Sequence, residues 1–361
     1  MATLMHANRQ WASRPADERF VSLPAMQSFL ATVREQSRQA IVSTRGIEAV
    51  ASPDFKGLSI GAPDGNLYDP TNWAFGQLSQ LAEAPASYLR TLAAPIAADC
   101  INFGLRFKRE IEDIGILMQS NGTKTLRAAT GPRYGRIWND DVVAALIDRF
   151  GDGVTGDWKV PGEFGKDVAV TQKNTTLFAS DRDMFVFLAD EKNRIEVPDR
   201  RNGQPGSLAR GFFVSNSEVG KSSLYIGTFL FDYVCCNRIV WGATEYKEVS
   251  VRHTASAPDR WVEEVMPALK AYSESSSDNI VRAIEQAKET KLEKDLGEFL
   301  KGRFSARMIQ GFEAAHVADE DRPIETVWDV VTGITAYARQ VENQDARIEL
   351  ETKAGEFLKA A

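Results

Sequence analysis

Apolar and polar positions along the chain change their period twice. The first 20 residues are polar and dotted with Arg, which predicts an extended arm. Residues 24–40, PAMQSFLATVREQSRQA, place Met26, Phe29, Leu30 and Val33 at helical spacing. The stretch IEAVASPDFKGLSIGAPDGNLYDP then alternates and carries turn signals at Pro53-Asp54 and Asp64-Gly65, which predicts a β-hairpin. A helical block follows. TNWAFGQLSQLAEAP has Thr71 as an N-cap and stops before Pro85; PASYLRTLAAP and IAADCINFGLRFKRE continue it.

From Ile114 to Trp138 the β pattern returns, with Asn121-Gly122 between two strand-like runs, a strong hairpin signal. Asn139 is placed to cap a helix, DDVVAALIDRF. Val168 to Val251 reads mostly as strands: VAVTQ, TTLFAS, MFVFLAD, RGFFVSN, SSLYIGTFLF and EYKEVSVRH, with a loop-like PDRRNGQPGS at 198–207. After Pro258 every segment has i, i+3/i+4 periodicity, broken at the Ser-rich SESSSD and the acidic DEDRP. No internal repeat of fixed period occurs. The pattern predicts an α+β fold: an antiparallel β-sheet core with helices packed on one side over residues 1–257, then an acidic α-helical C-terminal region over 258–361.

Charge sharpens that division. The chain has 43 Lys+Arg against 50 Asp+Glu; from Pro258 onward 14 basic residues face 21 acidic ones, so the whole net charge of −7 lies in the last third. Net acidity argues against a protein that coats nucleic acid nonspecifically, yet leaves room for a local basic groove. An apolar fraction of 43% and 361 residues suit an ordinary globular chain of about two domains. No run of 18 apolar residues and no apolar leader occurs, so neither a membrane span nor a secretory signal is expected. The three cysteines, Cys100, Cys235 and Cys236, form no disulfide framework, and a cytoplasmic setting is the expectation.

Candidate chemistry is sparse. Gly220-Lys221-Ser222 resembles the tail of a phosphate-binding loop, but that loop needs a glycine five residues before Gly220, where Ser215 stands, and a helix after it, where SLYIGTFLF reads as strand. A turn with Gly220 at positive φ is the better reading. His6, His253 and His316 have no metal-ligand spacing. Adjacent Cys235 and Cys236 diverge on a strand and read as structural thiols. The carboxylates of the last third are scattered over every helix face, as on a solvated surface. No catalytic constellation emerges, so the expectation is a non-enzyme without cofactor or metal.

Basic residues interleaved with aromatics are the remaining signal. Between Arg106 and Arg136, seven basic residues, among them Lys108, Arg109, Lys124, Arg127, Arg133 and Arg136, accompany Tyr134 and Trp138; Arg210 and Lys221 form part of a second set. Phosphates favour Arg and Lys, and unstacked bases favour aromatic faces. The same residues also fit the solvated face of an ordinary hairpin.

Residues 211–242, GFFVSNSEVGKSSLYIGTFLFDYVCCNRIVWG, resemble the signature of the domain of unknown function 932 family: an apolar strand, N-S-E-x-G, a second strand, then a Cys-Asn-aliphatic segment. Asn216, Ser217, Glu218, Gly220, Cys236 and Asn237 carry the match. Residues 131–143, GPRYGRIWNDDVV, are similar to that family's R-x-Y segment, and 327–339, VWDVVTGITAYAR, to its W-D helix. The chain departs from the family pattern at Gly333 and at Arg238. The resemblance implies a protein of phages and plasmids, where single-strand DNA handling is common, without implying a reaction. Together with the basic hairpin it leads to the expectation of a single-stranded DNA-binding protein, an annealing or recombination accessory that hydrolyses no nucleotide. Asn216 and Glu218 are expected to fix a turn. The acidic helices are expected to mediate self-association. The alternatives are a protein that binds a host factor through its C-terminal helices, or a virion-associated protein.

Overall fold

In the computed structural model, residues 16–108, 113–161, 170–173, 175–197, 206–232, 237–239, 249–341 and 343–360 are described. The fold is α+β, built on two sheets. Strands in chain order are β1 (Arg19–Phe20), β2 (Ser37–Ser43), β3 (Glu48–Ala51), β4 (Leu58–Gly61), β5 (Leu67–Pro70), β6 (Asp113–Ser120), β7 (Lys124–Thr130), β8 (Trp158–Lys159), β9 (Leu177–Ala179), β10 (Met184–Asp190), β11 (Ile195–Val197), β12 (Gly206–Asn216), β13 (Leu224–Asp232), β14 (Asn237–Ile239) and β15 (Val249–Val251).

The smaller sheet has the order β2-β6-β7-β5-β4-β3. Its β6–β7 hairpin turns at Asn121–Thr123, where Gly122 takes φ +93°, and a bulge between Leu117 and Met118 shifts the register. Only β5 and β7 pair in parallel. Helix α1 (Leu23–Glu35) ends before β2, so the expected helix over 24–40 stops five residues early; the chain from Ser37 instead pairs in register with β6, Ser37 opposite Gln119. Helices α2 (Asn72–Leu81), α3 (Ala86–Leu89) and α4 (Ala94–Phe103) cover one face of this sheet, burying Phe75, Leu78, Ala97 and Ile101 against Val42, Ile60, Ile116 and Leu126. Thr71 caps α2 as expected, its hydroxyl oxygen accepting from the Ala74 N–H at 3.1 Å.

The larger sheet runs β1-β9-β10-β12-β13-β14, with β8 beside β10, β11 beside β12 and β15 beside β13; all its pairs are antiparallel. Its central strands are buried on both faces, which explains why MFVFLAD and GFFVSN are nearly continuous apolar runs rather than alternating ones. Val186, Leu188, Phe212 and Val214 face α1, α5 (Asn139–Phe150) and α6 (Ala257–Glu274). Phe185, Phe187, Phe213 and Phe229 share the opposite face. Gly211 and Gly227 are needed among these rings: a Cβ at Gly211 would lie 2.3 Å from Phe229, and one at Gly227 2.4 Å from Phe213. The expected strand VAVTQ is not formed in its described part; of EYKEVSVRH, residues 245–248 lie outside the described residues and Val249–Val251 form β15; most of the 198–207 loop also lies outside them.

The C-terminal helices are α6, α7 (Asp278–Glu289), α8 (Leu296–Phe299), α9 (Ala306–Glu320), α10 (Val327–Ala338) and α11 (Gln344–Ala360). The long periodic run from Asp278 to Arg303 is broken after Glu289, because the backbone there turns to bond residues 325–327: Leu292 N–H to Glu325 O and Val327 N–H to Thr290 O, each 3.0 Å. Packing crosses the boundary expected at 257/258. Trp261, Val265, Leu269 and Tyr272 of α6 belong to the core of the larger sheet, and Ile195, Val197, Leu208 and Leu230 of that sheet belong to the core of the later helices.

Candidate functional site

The end of β12 carries the polar run Asn216-Ser217-Glu218 out of the larger sheet and onto the smaller one. All three side chains are buried. Glu218 sits between two elements: one carboxylate oxygen pairs with Arg127 Nη2 at 2.7 Å, the other accepts the Asn139 N–H at 2.9 Å. It thereby supplies a negative charge at the N-terminus of α5, where backbone N–H groups lack intrahelical partners. Asn139 is thus not the cap that the sequence led us to expect. It is the first helical residue, and its side-chain oxygen accepts from Asn216 Nδ2 at 2.8 Å. Asn216 Nδ2 also donates to Ile137 O.

Ser217 completes the turn. Its hydroxyl donates to Arg182 O at 2.7 Å and accepts the Lys221 N–H at 3.0 Å, while its carbonyl accepts from the Tyr134 hydroxyl at 2.8 Å. Val219 O accepts from both Trp73 Nε1 and Gln77 Nε2. Gly220 has φ +85°, and a Cβ there would come within 3.3 Å of Gln77 and Thr130, so the glycine serves both the turn and the close approach. Strand β13 follows, not a helix, and Lys221 Nζ bonds Asp183 at 2.7 Å. The phosphate-loop likeness therefore has neither the helix nor the free lysine that phosphate binding requires.

Beside this turn, planar groups stack in a column: Arg34, Trp138, Arg136, Tyr134, His253. Arg34 lies 5.1 Å and Arg136 5.8 Å from the Trp138 centroid, Arg136 lies 5.2 Å from that of Tyr134, and the Tyr134 and His253 rings stack at 4.8 Å. Such cation–π contacts are each worth about 0.5–2 kcal/mol. Arg34 is neutralised by Asp140 at 3.1 Å and Asp141 at 2.7 Å. Arg136 is not: it is 4% exposed, its Nε donates to Gln39 Oε1 at 3.1 Å, its Nη1 has no partner, and among the described residues no carboxylate pairs with it. Burial lowers its pKa to about 10. Burial pushes the Tyr134 phenol up and the His253 imidazole down, the latter helped by the charge of Arg136.

These positions sort the basic residues singled out in the sequence. Arg127 and Arg210 are internal, contrary to the expectation that they face a phosphate backbone. Arg127 is held by Glu218; Arg210 donates to Ser275 O at 2.6 Å and lies 3.7 Å from Asp190. A buried guanidinium requires such partners. Lys221 is half-buried on Asp183. Arg133 is exposed, as is Lys124, which donates to Asn66; the two flank opposite ends of β7. Tyr134 and Trp138 are partly exposed beside Arg136. Arg109 and Cys236 lie outside the described residues, as do the side chains of Lys108 and Asn237. Sequence reasoning missed Arg34, Gln39 and His253, which reach the column from three separate elements with no local signal. Among the described residues no cluster of His, Cys, Asp or Glu could hold a metal ion, and no helix is long and apolar enough to cross a membrane.

No curated protein and no solved structure matches the chain. The model of a family described as Domain of unknown function (DUF932) matches residues 166–356, a span that holds the Asn216-Ser217-Glu218 turn and the helix α10 with its Trp328-Asp329 pair. That match covers more than half of the 361 residues, and the chain belongs to the DUF932 family.

Proposed function

We propose that this protein binds single-stranded nucleic acid without hydrolysing nucleotide, through Arg133, Arg136, Tyr134 and Trp138. The observation that carries the reading is Arg136. Among the described residues Arg136 has one neutral hydrogen-bond partner and no paired carboxylate, the Glu218 charge that acts on it being bound to Arg127, and a buried guanidinium so placed calls for an anion. Among the described residues its one side-chain acceptor is Gln39, an exposed residue of β2. Displacing that amide would open the guanidinium to a phosphate, with exposed Arg133 nearby in the chain. The Trp138 and Tyr134 rings that flank it carry Arg34 and His253 on their other sides, so an unstacked base would stack there by taking the place of one of those groups. A role in annealing or recombination, in a phage or plasmid setting, would be one use of such binding.

The test is fluorescence anisotropy with a labelled single strand at several salt concentrations. The logarithm of affinity should fall linearly with the logarithm of salt, by about 0.7 per phosphate contact. Arg133→Ala should flatten that slope by about 0.7, and Arg133→Ala with Arg136→Gln by about 1 to 1.5, for all sequences alike. Circular dichroism on each variant separates lost binding from lost folding. Absence of binding by the wild type at low salt, where attraction is strongest, sinks the reading and leaves the protein-partner alternative.

A further inference from the structure

A cavity of about 310 Å³ opens between α1, the β6–β7 turn and the turn after β9. That is at the lower end of the size range of ligand sites. Phe29, 44% exposed, lines it together with Leu30, Val33 and Ala179 as apolar walls. Its polar lining includes three amides, Gln36, Gln119 and Asn121. Gln119 Nε2 donates to Gln36 Oε1 at 3.3 Å, across the β2–β6 pairing. Among the described residues this bond leaves the Gln36 amide N–H and the Gln119 carbonyl oxygen, a donor and an acceptor, without a protein partner. Asn121 adds an amide whose oxygen already accepts from Thr123.

Neighbouring donor and acceptor groups in a space also lined by an aromatic side chain suit the edge and the ring of a nucleobase. Charge decides which part of a nucleotide enters. The one basic residue of the lining, Arg127, is neutralised by Glu218, whereas Asp17, Glu18 and Asp181 also line the space. With its guanidinium neutralised, the lining offers no spare cation to hold a phosphate. The cavity also adjoins the stacked column: Val33 and Gln36 line it, while Arg34 and Gln39, on the same continuous stretch of chain, touch the column. We propose that this cavity takes one unstacked base of a bound single strand, its edge read by Gln36 and Gln119, with the sugar-phosphate chain outside. This rests on the strand-binding reading above.

Saturation-transfer NMR on the full chain with adenosine, cytidine and their 5′-monophosphates tests the cavity directly. Transfer to the base protons should be strong for the nucleosides, weaker for the monophosphates, and lost with Gln36→Leu plus Gln119→Leu. Asn121→Leu, at an exposed position, provides a second variant should the double one fold poorly, and should weaken the signal. In anisotropy, Gln36→Leu plus Gln119→Leu should lower strand affinity roughly tenfold with the salt slope unchanged. Absence of transfer from every nucleoside, with salt-dependent strand binding intact, overturns the cavity proposal alone. Transfer from nucleosides with no strand binding overturns the strand reading and the cavity's role in it. Transfer from arginine amide but from no nucleoside overturns the proposal in favour of a cationic side chain as the occupant.

Discussion

Glu218 does two jobs with one carboxylate. It compensates Arg127, and it accepts the Asn139 N–H at the start of α5. Neither partner could replace it from solvent, since both side chains of the ion pair are at most 3% exposed. Removing one member of a buried pair leaves the other as an uncompensated charge, which costs about 3–5 kcal/mol. Glu218→Ala should therefore lower the free energy of unfolding by that amount, measured by urea titration. Replacing Arg127 and Glu218 together by Met and Leu should restore much of the loss, because an apolar pair of similar volume leaves no buried charge. A single-variant loss below about 1 kcal/mol would mean that water reaches the pair. At this scale the sequence was legible only in part. The run Asn-Ser-Glu before Gly220 announced a fixed turn, and Gly220 does take positive φ. What it could not announce was the partner of each side chain. Arg127 and Glu218 are 91 residues apart, and a basic residue in a hairpin reads the same whether it faces solvent or a buried acid.

Elements were legible where local chemistry alone sets them. Asn121-Gly122 gave the β6–β7 hairpin, Thr71 gave the start of α2, and the apolar runs gave β10, β12 and β13. They were lost where distant pairing overrides local periodicity, as in Ser37–Ala40, expected at the end of a helix yet paired with β6. Helix α10 is the opposite case, with its start written in four residues. The Thr326 hydroxyl accepts the Asp329 N–H at 3.2 Å and Asp329 accepts the Thr326 N–H at 2.9 Å, a reciprocal capping box. Asp329 also accepts from Arg322 and from the Glu325 N–H. Burial pushes its carboxyl up, but Arg322 and those N–H groups together outweigh burial and hold it below the usual carboxylate range. A carboxyl lowered by folding stabilises above its ordinary pKa of 3.8, and that stabilisation is lost as pH falls through the lower, folded value. Asp329→Ala should lower stability by about 1–2 kcal/mol at neutral pH. The gap between wild type and variant should narrow as pH drops below about 4. Thermal melts of both proteins at pH 7 and pH 3 check this; a gap that widens in acid would contradict the capping account.

At the scale of the molecule, the shift from neutral to acidic composition at Pro258 suggested a division that packing does not respect. Composition reports what a segment shows to water. Many acids of the last third do sit on surfaces, paired as Lys353–Glu349 along α11 or Lys294–Glu298 at the start of α8, and such pairs add little. The buried faces of the same helices decide where the segment belongs. Trp261, Val265, Leu269 and Tyr272 are each at most 4% exposed, packed with Leu188, Phe212 and Val214 of the larger sheet and with α1 and α5. The Tyr272 hydroxyl also donates to Gly211 O at 3.0 Å. Burying each of these side chains contributes about 1.5–3 kcal/mol, so the four together approach the whole stability of an ordinary domain, about 5–15 kcal/mol. A fragment ending at residue 257 should therefore fail to form a fixed core. Its amide spectrum should be poorly dispersed, and it should bind the dye ANS, as a collapsed chain with exposed apolar surface does. A fragment ending at residue 276 keeps α6 and should regain near-ultraviolet dichroism, while still exposing Leu208 and Leu230, which the later helices cover. A cooperative thermal melt from the fragment ending at 257 would show that the first 257 residues fold alone, and would place α6 on a finished surface instead of inside the core.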